Sequence, residues 1–137
     1  PQGQQAVFLL IDLDNFKNLN DSLGHLAGDQ ALVDVANVLK NSFCDDAIIS
    51  RFGGDEFVVF VKNIQDIKLF NRLISRLLQQ LDLYYQSEKD QINIQASIGI
   101  ALAPIDGRDM NTLYLKADKA LYQAKEGGKN RYKYYNN

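Results

Sequence analysis

The chain holds one cysteine and one histidine in 137 residues, and its longest unbroken apolar run is "AVFLLI", Ala6 to Ile11. A lone Cys44 excludes an internal disulfide, and with no basic neighbour in sequence to lower its pKa it reads as an inert thiol. His25 has no cysteine or second histidine at ligand spacing, which argues against zinc and leaves it a structural role in the turn between Gly24 and Gly28. The apolar run falls far short of a bilayer crossing, and the opening "PQGQQ" lacks the basic-then-apolar order of a signal peptide. These absences lead us to expect a cytoplasmic domain with no membrane contact of its own, whatever anchor the full-length protein carries. An excess of positive charge is also missing: the net charge is -2 with the two signs mixed. Broad nucleic-acid binding wants a basic face, so none is expected, and any phosphate chemistry should rest on a few placed cations or a metal.

What is present is a globular composition, 46% hydrophobic and 23% charged, in a length that suits one core. "AVFLLID" reads as a strand buried on both faces and ending in a carboxylate, Asp12. "DNFKNLNDSLGH" follows as a short helix and turn. In "GDQALVDVANVLKNSF" the residues Ala31, Leu32, Val35, Val38 and Leu39 form one helical stripe. Strands over Ala47 to Phe52 and Glu56 to Lys62 flank a Gly-Gly-Asp link, a hairpin signal. A long helix is expected across "IQDIKLFNRLISRLLQQLDLYY", then a strand stopped by Pro104. The last helix spans "MNTLYLKADKALYQAKEGG", with Gly127 and Gly128 as its stop, and "NRYKYY" is a weak final strand. The order matches an α+β fold of split βαβ type: a central, mostly antiparallel sheet flanked by helices.

The hairpin stretch "SRFGGDEFVVFV" interrupts two apolar runs with two glycines and two carboxylates. Pairing of the strands would bring Asp55 and Glu56 to Asp12, and carboxylates so close repel unless a cation sits among them. Hard oxygen ligands, few in number, suit Mg²⁺ that also holds substrate phosphates. Gly53 and Gly54, without Cβ atoms, would let main chain approach a triphosphate and take positive φ. Each feature alone has a plainer reading. Gly-Gly-Asp-Glu is also an ordinary hairpin turn, Asp12 and Asp14 serve equally as helix caps, and Asn20 and Asp29 as turn and cap residues. Lys125 and Lys129 read as helix-end cations, and Tyr114, Tyr122, Tyr132, Tyr134 and Tyr135 as packing aromatics.

Taken together, "RFGGDEF", "DLDNFKNLNDSLGHLAGD", "ASIGIA" and "ADKALYQAKEGGKNRY" resemble, in order, the blocks of the GGDEF family, the diguanylate cyclase domains. The resemblance covers nearly the whole chain, read as a single domain over 1–137. It implies condensation of two GTP molecules to cyclic di-GMP with release of two pyrophosphates, by a homodimer in which each domain holds one GTP. It implies Mg²⁺ (or Mn²⁺) held by Asp12, Asp55 and the main-chain carbonyl of Leu13, with Asp55 or Glu56 assisting deprotonation of the 3′-hydroxyl. Guanine would be read by Asn20 and Asp29, and phosphates met by Lys17, Lys125 and Lys129, besides Gly53 and Gly54. Lys129 stands where many relatives carry Arg, a point charge in place of a bidentate fork.

Two departures bear on function. Where many relatives carry an Arg-x-x-Asp product-inhibition site, this chain reads "CDDA", Cys44 to Ala47, so inhibition through that site is not expected. The family's helical block ahead of the first strand is also missing, which makes this sequence read as a fragment of a longer protein carrying a sensory or EAL domain. The leading expectation is an active cyclase. The alternative is a catalytically silent GTP-binding module that controls an attached domain such as an EAL phosphodiesterase. A template-directed nucleotidyltransferase is disfavoured by the missing basic groove.

Overall fold

The computed structural model describes residues 5–43 and 47–136. Cys44 and all but the last residue of the 44–47 stretch lie outside them. In chain order the elements are β1 (Gln5–Asp14), α1 (Phe16–Leu23), α2 (His25–Ser42), β2 (Ala47–Arg51), β3 (Glu56–Ile64), α3 (Ile67–Gln80), β4 (Leu83–Gln86), β5 (Gln91–Ala103), α4 (Met110–Glu126) and β6 (Tyr132–Tyr134). The sheet runs β2-β3-β1-β5-β4, with β6 added in parallel to β5. Every other pairing is antiparallel.

β1 is central because both of its edges are paired and both of its faces are covered. Its odd residues, Val7, Leu9, Ile11 and Leu13, enter the larger core beneath α1, α2 and α3, where they meet Leu19, Val35, Leu39, Ile74 and Leu77. Its even residues Phe8 and Leu10 meet Leu113, Ala117 and Leu121 of α4. The continuous apolar run is thus the sequence mark of a strand with no wet face. α4 lies close to β5 because Gly99 carries no side chain; a Cβ there would collide with the backbone at Ala117 and Leu121.

The helices begin where the chain can cap them. Asp66 accepts hydrogen bonds from the Lys68 and Leu69 amides at the start of α3, and Asp109 from the Thr112 amide at the start of α4. The α2 stripe falls as expected, with Ala31, Val35 and Leu39 buried. Two sequence expectations need correction. The helix read through Tyr85 ends at Gln80, and Leu83–Gln86 forms β4 on the edge of β5. Asp82 accepts a hydrogen bond from Asn93 Nδ2 at 2.6 Å, which ties the chain to β5 just where helix periodicity had seemed to continue. His25 holds no turn: it is the exposed first residue of α2, and Gly24 alone, at φ 92°, separates α1 from α2.

Candidate active site

The site forms where the sheet face under α4 runs out of apolar residues. Along β1 the even positions change from Phe8 and Leu10 to Asp12 and Asp14, both buried. Asp12 lies opposite Glu56 on β3 and opposite Ser97 on β5. The β2–β3 hairpin is drawn onto this end of β1 by a hydrogen bond from the Leu13 amide to the Asp55 carbonyl, 3.1 Å. Strand pairing therefore brings Asp55 and Glu56 to Asp12, beside the Leu13 backbone.

The electrostatics show what this arrangement costs. Burial raises the pKa of Asp12; hydrogen bonding to Lys125 pulls it down, and the charge of Asp55 pushes it up again. Glu56 is raised first by burial and then by the charges of Asp12, Asp55 and Asp118. Lys125 forms an ion pair with Asp12 Oδ2. Burial opposes the ammonium charge, but Asp12, with Asp14 and Asp55 adding, outweighs it and raises the pKa. Asp12 Oδ1 is buried with no hydrogen-bond partner.

That orphaned oxygen bears on whether the residues fit a divalent ion. A buried carboxylate oxygen beside a second carboxylate is a hard acceptor that gains from a further cation. Among the described residues no three His, Cys, Asp or Glu side chains are placed to hold a metal ion by themselves. The donor set is a carboxylate pair plus main chain, which fits an ion that takes its other ligands from phosphates and water.

The remaining candidates fall into two groups. Asn20 and Asp29 are brought close through Gly28: a Cβ at Gly28 would run into Asn20 Oδ1, so the glycine makes room for the amide beside the residue that precedes Asp29. Asp29 itself is exposed and lines a groove of about 410 Å³ with Leu32, Lys40, Arg51 and Phe57. Both residues lie inside helices, so neither is the cap that the plainer reading allowed. Lys17 stands exposed on the first turn of α1 and Lys129 exposed after α4. Lys125 is the one basic residue among the described residues in an ion pair.

Gly53 and Gly54 depart from expectation. Neither has positive φ; among the described glycines only Gly24 and Gly128 do. No heavy atom would lie closer than 3.8 Å to a Cβ at Gly53 or within 4 Å of one at Gly54. The fold leaves room for a side chain at both positions. Asp14, read above as a helix cap, does not cap α1. Ser97 Oγ donates to its Oδ1 at 2.9 Å and Oδ2 at 2.8 Å, and the Asn130 amide donates to Oδ2 at 3.1 Å. The N-cap position of α1 is Asn15, in the left-handed region at φ 75°.

Three participants were not singled out from the sequence. Arg51 donates from Nε to the Gly53 carbonyl and from a terminal guanidinium nitrogen to the Gly54 carbonyl, each at 3.1 Å. Ser97 holds Asp14. Tyr114 packs against Phe8 and Phe52 as expected, yet its hydroxyl also donates to Glu56 Oε1 at 3.5 Å. Arg51 and Ser97 lie inside the quoted motif blocks, and that was the signal available for them.

Residues 1–131 match the family described as "Diguanylate cyclase, GGDEF domain". The cyclic di-GMP phosphodiesterase PdeR of Escherichia coli is 40% identical over 122 residues, 89% of this chain and 18% of that protein. The bifunctional diguanylate cyclase/cyclic di-GMP phosphodiesterase MucR of Pseudomonas aeruginosa is 38% identical over 127 residues, 93% of this chain and again 18% of the relative. This chain thus spans less than a fifth of the length of either. Among solved structures, an EAL/GGDEF domain protein from M. capsulatus superposes with a TM-score of 0.87 at 38% identity, covering 99% of this chain and 88% of that one. No helix of the described residues is long and apolar enough to cross a membrane. The carboxylate cluster, the sheet order and the match over residues 1–131 lead to one conclusion: the chain belongs to the GGDEF family of diguanylate cyclase domains.

Proposed function

We propose that this domain is a diguanylate cyclase that condenses two GTP molecules to cyclic di-GMP, releasing two pyrophosphates, with two copies facing each other so that each presents one GTP. The observation that carries the reading is the meeting of Asp12, Asp55 and Glu56 at the end of β1, with Lys125 on one Asp12 oxygen and the other unpartnered.

Asp12, Asp55 and the Leu13 carbonyl would hold Mg²⁺ or Mn²⁺; bound there, the ion supplies Lewis acidity toward triphosphate oxygens and toward the attacking hydroxyl. Glu56 accepts the proton of the 3′-hydroxyl. Its raised pKa makes it a stronger base than an exposed glutamate, and the Tyr114 hydroxyl fixes one of its oxygens. Asn20 and Asp29 accept from the guanine N1–H and amine, a donor pair that adenine lacks. Lys125, now on Asp12, and Lys17 and Lys129, exposed on either side, meet phosphates. Gly53 and Gly54 leave the hairpin open to close approach.

The second reading, a silent GTP-binding module that regulates an attached EAL domain, draws support from the phosphodiesterase named among the relatives and from their much greater length. One experiment separates the two. The domain, forced into a dimer by a fused coiled coil, is incubated with GTP and Mg²⁺ and assayed for cyclic di-GMP beside Asp55→Ala. Product that falls at least about a hundredfold in the variant supports the cyclase. GTP binding and confirmed dimerisation without product would leave the regulatory module.

A further inference from the structure

Asp14 is the buried acid that the reading above does not use. It is 7% exposed, and both of its oxygens are occupied, by the fully buried Ser97 hydroxyl and by the Asn130 amide. These partners are neutral donors to a charged acceptor, the stronger class of hydrogen bond. They tie Asp14 to β5 and to the segment after α4.

What Asp14 holds is unusual. Gly128, Lys129 and Asn130 follow one another at φ 121°, 64° and 49°, so two consecutive residues with side chains sit in the left-handed region. L-residues enter that region at a cost, and surrounding contacts must hold them there. One contact runs from the Lys129 amide back to the Ala124 carbonyl, 3.0 Å, and Arg131 Nε donates to the Lys129 carbonyl at 3.0 Å. Two contacts tie this stretch to the sheet: the Ile98 amide donates to the Arg131 carbonyl at 2.9 Å just after the turn, and within the turn the Asn130 amide donates to Asp14, 116 residues away in sequence. Lys129 projects from the middle of this turn and lines a groove with Asp14, Asn15, Asn18 and Gly128.

We propose that Asp14 is a positioning residue: by holding the Gly128–Asn130 turn against the end of β1, it fixes where Lys129 meets the triphosphate. The second half of this statement rests on the cyclase or GTP-binding reading above; the first does not. Ser97 orients the carboxylate, and the left-handed turn aims the lysine.

Two measurements on the 137-residue chain test it, with Asp14→Ala, Asp14→Asn, Lys129→Ala and the double variant Asp14→Ala/Lys129→Ala. The first is amide hydrogen exchange at Asn130 without nucleotide. Asp14→Ala should speed exchange by about tenfold or more, and Asp14→Asn, which keeps an acceptor, should recover part of the protection. The second is GTP affinity by calorimetry in Mg²⁺. Asp14→Ala and Lys129→Ala should weaken binding by similar factors, and the double variant should bind no worse than Lys129→Ala alone. Unchanged Asn130 exchange, or factors that multiply in the double variant, would overturn the proposal. If Asp14→Ala does not fold, Ser97→Ala replaces it and should loosen Asn130 by a smaller factor; no change there also counts against the clamp. A parent domain that binds no GTP would remove the triphosphate half together with the functional reading, while the exchange result still decides the clamp.

Discussion

The two faces of β1 do different work with alternate residues of one strand. Odd positions stay apolar from Val7 to Leu13 and are buried under three helices. Even positions are apolar at Phe8 and Leu10, then acidic at Asp12 and Asp14, under α4 alone. One face therefore supplies the free energy of folding, and the far end of the other holds charges that folding disfavours. Carboxylates with raised pKa values, such as Asp12 and Glu56, are a cost to the fold of the kind that concentrates at functional sites. The comparison also explains why the site sits where it does. A strand paired along both edges and packed on its odd face cannot shift, so its even-face acids stay fixed.

The largest test of this contrast is Leu9→Ala. Leu9 is fully buried on the odd face, and truncation should cost about 2–5 kcal/mol in urea unfolding. A loss below about 1 kcal/mol would mean that the odd face is not the main source of stability. Next comes Gly28→Ala, which should leave the melting temperature nearly unchanged, since alanine suits a helix and the obstructed atom is the end of the flexible Asn20 side chain. On the proposed function it should nonetheless lower the preference for GTP over ATP by roughly tenfold or more in competition binding. Retained preference would separate Asn20 from base reading.

The smallest effect is the one whose sign matters most. The folded-state pKa of Glu56 lies above the ordinary 4.5, so its contribution to stability is present below that value and lost as pH rises through the folded pKa. Glu56→Gln removes the disfavoured charge. It should raise the melting temperature by about 1–3 °C at neutral pH, with the gain vanishing below the ordinary glutamate range, while on the proposed function turnover is lost. A lower melting temperature at neutral pH would show that the ionised glutamate is stabilised where it stands.

Much of this was legible in the sequence because both faces of β1 are written in it. The apolar run, the hairpin signal and Pro104 gave β1, β2, β3 and the end of β5 within a few residues. β4 was not legible: Leu77, Leu78 and Leu81 keep helical spacing up to the strand, and the break depends on Asp82 and Asn93, partners across a turn. The site was legible through motif blocks at Asp12, Asp55 and Glu56, but the roles within those blocks were not. The ion pair of Lys125 with Asp12 was not read from the blocks, and Asp14, weighed as a cap, accepts from the distant Asn130 amide. Those partners are set by tertiary packing, which local spacing does not encode.

Arg51 adds a consequence at the hairpin tip. Its guanidinium holds the carbonyl oxygens of Gly53 and Gly54 on one side. In a trans peptide the N–H points opposite to its own C=O. The amides of Gly54 and Asp55 are therefore turned away from Arg51, as two parallel dipoles with their positive ends outward. One arginine that need never touch a ligand thereby makes a pair of neutral glycines behave as an electropositive surface.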